Sequence, residues 1–153
     1  MKLRLVLVPL IVATVGVVGI QGTASSAPLT KQNFTLTSDN IEVPGGTVVA
    51  SGAINATGED VVISDTEDQF VFPDGTLTVV HARVRGREDF NPNTCTGTFR
   101  ETGDYVISKG TGQYEGVTGS GTYRIVGQTH GCSGPPTGSF TITARGSINL
   151  PNP

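Results

Sequence analysis

The segment Lys109-Gly110-Thr111-Gly112-Gln113-Tyr114-Glu115-Gly116-Val117-Thr118-Gly119-Ser120-Gly121-Thr122-Tyr123 decides how this chain is read. Its glycines permit positive φ and close backbone approach, which is what a corner in a curled sheet needs. A phosphate-cradling loop uses similar glycines, but it opens a helix and usually carries a Lys after them. Here the glycines run into an alternating stretch, Tyr123, Ile125 and Gly127, so the segment reads as a hairpin tip entering a strand.

The pattern on both sides agrees. No part of the chain after the N-terminal segment holds a helical period. Runs rich in Val, Ile, Thr, Phe and Tyr alternate with Gly, Pro, Asn and Asp. Eight strands are expected: Asn33–Ser38, Thr47–Asn55, Asp60–Ser64, Gln69–Phe72, Thr76–Arg85, Thr96–Ser108, Ser120–Thr129 and Ser139–Asn149. Turns fall at Val43-Pro44-Gly45-Gly46, Ala56-Thr57-Gly58, Pro73-Asp74-Gly75 and Gly131 to Gly138, with a longer loop at Asp89 to Asn93. Short connections imply antiparallel neighbours. The expected fold is all-β: an eight-stranded antiparallel up-and-down barrel, calycin-like in form, whose closure removes exposed edges.

Cys95 and Cys132 are the two cysteines, and an even count in an exported chain reads as a disulfide. If they face each other across two antiparallel strands, the hairpin tip falls within Gly110–Thr118, where the glycines already place it. Three later strands also open alike, with Gly97-Thr98-Phe99, Gly121-Thr122-Tyr123 and Gly138-Ser139-Phe140. Alternation from these aromatics marks one inward set: Leu77, Val79, His81, Arg83, Phe99, Tyr105, Ile107, Tyr123, Ile125, Phe140, Ile142, Ala144 and Ile148. A direct Cys95–Cys132 register puts Phe99 and Tyr123 on opposite faces, so one β-bulge is expected near the glycine-rich tip.

The N-terminus reads as a secretory signal. Lys2 and Arg4 precede the apolar run Leu5–Ile20, and small residues through Ala27 follow it. The expected organisation is a signal peptide over residues 1–27 and one barrel domain over residues 28–153, in a secreted, extracellular protein. The domain has 8 basic residues against 13 acidic ones. A mildly acidic balance argues against nucleic acid and anionic lipid as partners.

The glycine-rich segment, with Pro73-Asp74-Gly75-Thr76-Leu77 and Cys95-Thr96-Gly97-Thr98-Phe99, resembles the allene oxide cyclase-like and dirigent-like barrels, above all their small secreted bacterial members. The resemblance covers about residues 69 to 148. It implies an eight-stranded barrel that assembles as a dimer or trimer, and a lumen in which reactive small molecules are cyclised or coupled. The shared residues are structural glycines and aromatics, so no catalytic residue is carried over from it.

Two polar residues share the inward set, His81 and Glu101, and they are the candidate proton-transfer groups. The alternative is a satisfied interior network in which Glu101 pairs with Arg124, Arg83 or His81. Phe99, Tyr105, Tyr123, Phe140 and Arg83 are the candidate ligand-binding residues. The acidic stretch Asp65-Thr66-Glu67-Asp68 lacks the glycine and terminal glutamate of a calcium loop and reads as a solvated turn. No motif asks for a metal or a cofactor. The expected function is binding of an apolar or amphipathic small molecule in the lumen, with a cyclase or isomerase reaction as its catalytic form. The alternative is a non-catalytic extracellular module whose barrel is filled by its own side chains.

Overall fold

A computed structural model describes residues 28–151. The signal-peptide reading of residues 1–27 lies outside them. Eight strands follow in order: β1 Thr30–Ser38, β2 Gly46–Gly52, β3 Ala56–Ser64, β4 Glu67–Phe72, β5 Gly75–Asn91, β6 Thr96–Gly110, β7 Thr118–His130 and β8 Thr137–Asn149. Each pairs antiparallel with the next, and β8 pairs back onto β1, so the sheet closes as an up-and-down barrel. All eight expected strands are present, with shifted ends.

Two ends differ for local reasons. The turn expected at Ala56-Thr57-Gly58 sits instead at Ala53 to Asn55. The Asn55 side chain accepts from the Gly52 amide at 3.1 Å and donates to the Gly52 carbonyl at 2.7 Å, closing the turn three residues early. Strand β5 runs on to Asn91, through the expected loop. A bulge at Val84 shifts its register, and beyond it Gly86 to Asn91 pair with Glu101 to Thr96 of β6. The β5–β6 and β7–β8 hairpins therefore rise above the β1–β4 side of the barrel mouth.

The bulge expected near the glycine-rich tip is absent. Strands β6 and β7 pair without a shift from Thr96↔His130 to Ile107↔Gly119, which already puts Phe99 and Tyr123 on one face. The conflict disappears because the cysteines lie outside the ladder. Cys95 takes a left-handed φ of 53° and Cys132 sits in the β7–β8 turn, and their disulfide spans a Cα separation of 5.0 Å. The tip itself is a short 3-10 turn, Gly112–Tyr114, in which Gly112 has φ 61°.

The inward faces form one core. Phe34 is fully buried at its centre, flanked across the ladders by Ala50 of β2 and Ala144 of β8. At the closed end Tyr114 packs edge-on against Phe72, and Val117, Leu77 and Ile148 fill the space beside it. Gln32 is buried there without cost, because its amide bonds the Ile54 backbone in both directions, at 2.8 and 3.2 Å. Interior glycines face aromatics. A Cβ on Gly103 would strike the Tyr123 ring, and one on Gly127 would strike the ring of Phe99. The aromatics of the repeated strand starts thus build cross-strand pairs with glycines further along the neighbouring strands, in which a large ring covers a bare backbone.

Candidate functional site

The open end of the barrel gathers the polar residues of the interior. It is a small well of about 50 Å³ lined by Phe34, Leu36, Phe70, Tyr105, Ile142 and Ala144, with Asp68, His81 and Tyr123 also on its wall. Strand pairing brings these together from distant sequence. His81 on β5 stands opposite Tyr105 on β6, and Tyr123 on β7 stands opposite Gly103.

The polar groups form a chain of contacts. His81 Nε2 lies 3.2 Å from Asp68 Oδ2. The His81 ring meets Tyr123 edge to face at a centroid distance of 5.8 Å. The Tyr123 hydroxyl donates to Glu101 Oε1 at 2.7 Å. Arg83 Nε lies 3.2 Å from Glu101 Oε2. Gly86 makes this last pair reachable, since the Arg83 guanidinium occupies the space a Cβ at position 86 would take. Of the partners weighed for Glu101, Arg83 is the one it meets. Arg124 lies on the outer face, opposite Thr102 and Thr143.

All seven candidate residues share the inward face, but at different depths. Tyr105 and Tyr123 are in the core, and His81 and Glu101 are half-buried at the mouth. Phe99 and Phe140 are half-exposed above it, on either side of Gly127, and the Arg83 side chain is largely exposed. Phe90 extends the same aromatic shelf from β5.

Two carboxylates escaped the sequence reading. Asp68 belongs to the stretch read as a solvated turn, yet alternation in β4 turns it inward with Phe70 and Phe72. Asp60 is buried on β3, opposite Phe70 and so diagonal to Asp68. The signal available was parity within Asp60–Ser64 and, one residue back from Gln69–Phe72, at Asp68, which the short expected strands obscured. Three buried oxygens, Asp60 Oδ1, Tyr105 Oη and Asn149 Oδ1, have no hydrogen-bond partner among the described residues.

Electrostatics follow from this placement. Burial, reinforced by the charge of Asp68 and opposed by His81, pushes the Asp60 carboxyl up to about 7. The Asp68 hydrogen bond raises His81 against the cost of its own burial, and the charges of Asp68, Glu101 and Asp60 add to the rise. Burial and the Glu101 contact raise the Tyr123 hydroxyl, which keeps it a donor.

A pH dependence follows. Between the ordinary carboxylate value near 3.8 and about 7, folded Asp60 holds a proton that the unfolded chain has lost. Stability therefore falls as pH rises through that window. His81 acts in the same direction: its contribution is complete below the ordinary histidine value of 6.5 and is lost as pH rises through its higher folded value. Thermal denaturation should give a higher Tm at pH 5 than at pH 8. Asp60→Asn should flatten the profile and gain on the order of 2–3 kcal/mol at pH 8. A wild-type Tm that rises steadily from pH 5 to pH 8 would contradict this assignment.

Comparisons with protein-family models, with curated proteins and with solved structures each return no match, so the chemistry of this site rests on its own residues.

Proposed function

We propose that this is a secreted barrel that binds an amphipathic small molecule at its mouth and guides a proton-dependent cyclisation or isomerisation there. The observation that carries the reading is the convergence of His81, Asp68 and Tyr123 on one apolar well, with Glu101 bonded to Tyr123 and the raised carboxyl of Asp60 diagonal to Asp68. Apolar walls with a few convergent polar groups are the usual form of a binding site. Titratable groups raised toward neutral pH are the usual form of a general acid or base.

The well of about 50 Å³ sets the manner of binding. Sites that enclose a drug-sized ligand measure roughly 300–1,000 Å³. Only a small apolar end group enters the well. The polar part of the ligand meets His81 and Glu101, and its body rests on the shelf of Phe90, Phe99 and Phe140. The Tyr105 ring, which lines the well, packs against the inserted end. Catalysis in such a site is chiefly positioning, with one proton transferred by His81 or Glu101. The resemblance to allene oxide cyclase-like and dirigent-like barrels supports an isomerase or cyclase over a hydrolase, and it extends the proposal to assembly as a dimer or trimer. The small well favours one competing reading, a filled barrel that serves as a non-catalytic extracellular module.

Mass spectrometry of small molecules released from protein purified from its native medium tests the binding reading. An amphipathic compound should accompany the wild type and be lost when Ala144→Leu fills the well. With that compound as substrate, Glu101→Gln should lower turnover about 10²-fold or more, the usual scale for a general acid or base, with little change in affinity. If Glu101 only anchors Arg83 and Tyr123, activity will track stability instead. Recovery of no compound from either protein would leave the filled module standing.

A further inference from the structure

The net negative charge of this domain conceals a basic face. Six of its eight basic residues, Lys31, Arg85, Arg87, Arg100, Arg124 and Arg145, are exposed on the outer surface of five neighbouring strands. Arg87 and Arg100 stand directly opposite each other on β5 and β6. Arg100 faces Val126, so Arg124 is its diagonal neighbour on β7. Arg124 faces Thr143, so Arg145 is the next diagonal neighbour, on β8. Arg145 faces Asn33, so Lys31 on β1 continues the line. At about 7–8 Å per diagonal step, the stripe runs roughly 25–30 Å around the barrel.

The carboxylates lie elsewhere. Asp39, Glu42, Glu59, Asp65 and Glu67 belong to the β1–β4 side and its connections. On the basic face, Asp89 is taken by Arg87 at 2.9 Å and Asp104 is the other acid. Among the described residues, Lys31, Arg85, Arg100, Arg124 and Arg145 have no carboxylate within ion-pair distance. Like charges placed opposite each other in a sheet destabilise it, so the arrangement has a cost that folding alone does not explain.

We propose that this stripe is a binding surface for a linear anionic polysaccharide, one bearing sulfate or uronate groups. The charge complements such a chain, and the guanidinium fork matches planar or tetrahedral oxyanions. Hydroxyls surround the cations: Thr102, Thr122 and Thr143 line, with Asp104, a surface groove of about 590 Å³ whose wall Arg124 and Arg145 also form. They pair with sugar hydroxyls. Nucleic acid fits less well, because single strands are held by aromatic stacking platforms, and the phenylalanines Phe90, Phe99 and Phe140 are on the inner face. This surface is separate from the barrel mouth, and the proposal does not depend on the reading of that site.

Fluorescent dextran sulfate titrated with the full chain is the test, with neutral dextran and single-stranded DNA as the other arms. Binding to dextran sulfate should weaken with salt at a log–log slope of about −4, as four to five neutralised charges require. Neutral dextran should not bind. The variant Arg100→Gln/Arg124→Gln/Arg145→Gln should bind more than tenfold weaker and lose about two to three units of slope. Should that variant fail to fold, Arg124→Gln and Arg145→Gln singly should each lose about one unit. The proposal is overturned if dextran sulfate does not bind at low salt or if the Gln variants bind as the wild type does. It is equally overturned if DNA binds more tightly through the same arginines, or if the wild type self-associates and the variants are monomers.

Discussion

Replacing Phe34 with Ala should cost about 3–5 kcal/mol, the full price of deleting a buried aromatic ring. Phe34 is wholly excluded from solvent and packs against the rings of Phe70 at 5.3 Å and Tyr105 at 6.2 Å. Its cross-strand neighbours are Ala50 and Ala144, small residues that leave room for one large ring. Truncation would put three alanines side by side on β2, β1 and β8 and leave a cavity beside the rings of Phe70 and Tyr105. Chemical denaturation should show the loss as a lower midpoint at unchanged m. The variant also enlarges the well at the barrel mouth, since Phe34 lines it. Phe99→Ala is the control. Phe99 covers Gly127 on the inward face but is half-exposed and lies outside the core cluster. Its loss should cost about 1 kcal/mol, as partial burial gives only part of the 1.5–3 kcal/mol for a fully buried side chain. Equal losses at the two positions would show that the mouth is as tightly packed as the centre.

The double substitution Cys95→Ala/Cys132→Ala should cost about 3–4 kcal/mol. The bond joins residues 37 apart in sequence, and the chain-entropy model assigns a loop of that size this much restriction of the unfolded state. For a domain of this length the fall in Tm should be about 10–15 °C. The location adds a second expectation. The disulfide ties the β5–β6 turn to the β7–β8 turn at the top of the overhang, outside the sheet ladders. Amide exchange should therefore speed up most for Arg87 to Arg100 and for Gly127 to Phe140, the segments that carry the aromatic shelf. Exchange around Phe34 and Ile148 should follow global stability alone. If the overhang amides remain as protected as those of the core, the ladder rather than the disulfide holds the shelf in place.

Alternation and turn chemistry were enough to read the strands of this protein and their order. Val, Ile, Thr and aromatic runs broken by Gly, Pro and Asn allow few structures besides an antiparallel meander, and Tyr105, Tyr123, Ala144 and Ile148 declare one buried face by parity alone. That parity also placed His81 and Glu101 on the same face as the aromatics, which is as far as a period of two can reach. Tertiary structure decided everything that depends on which strand closes on which, and at what height. The sequence periodicity is blind to a bulge such as that at Val84, which shifts the register beside the Arg83–Glu101 pair. Asp60 and Asp68 lie at the edges of the strands expected at Asp60–Ser64 and Gln69–Phe72, where alternation is too brief to show, and the registers of β3 on β4 and of β4 on β5 put them within electrostatic reach of His81. Lys31 and Arg145 are more than a hundred residues apart and join one basic stripe because β1 pairs with β8. Side-chain direction is a local property of the backbone and is written in the sequence. Proximity between strands is set by closure and register, which depend on the packing of all eight at once.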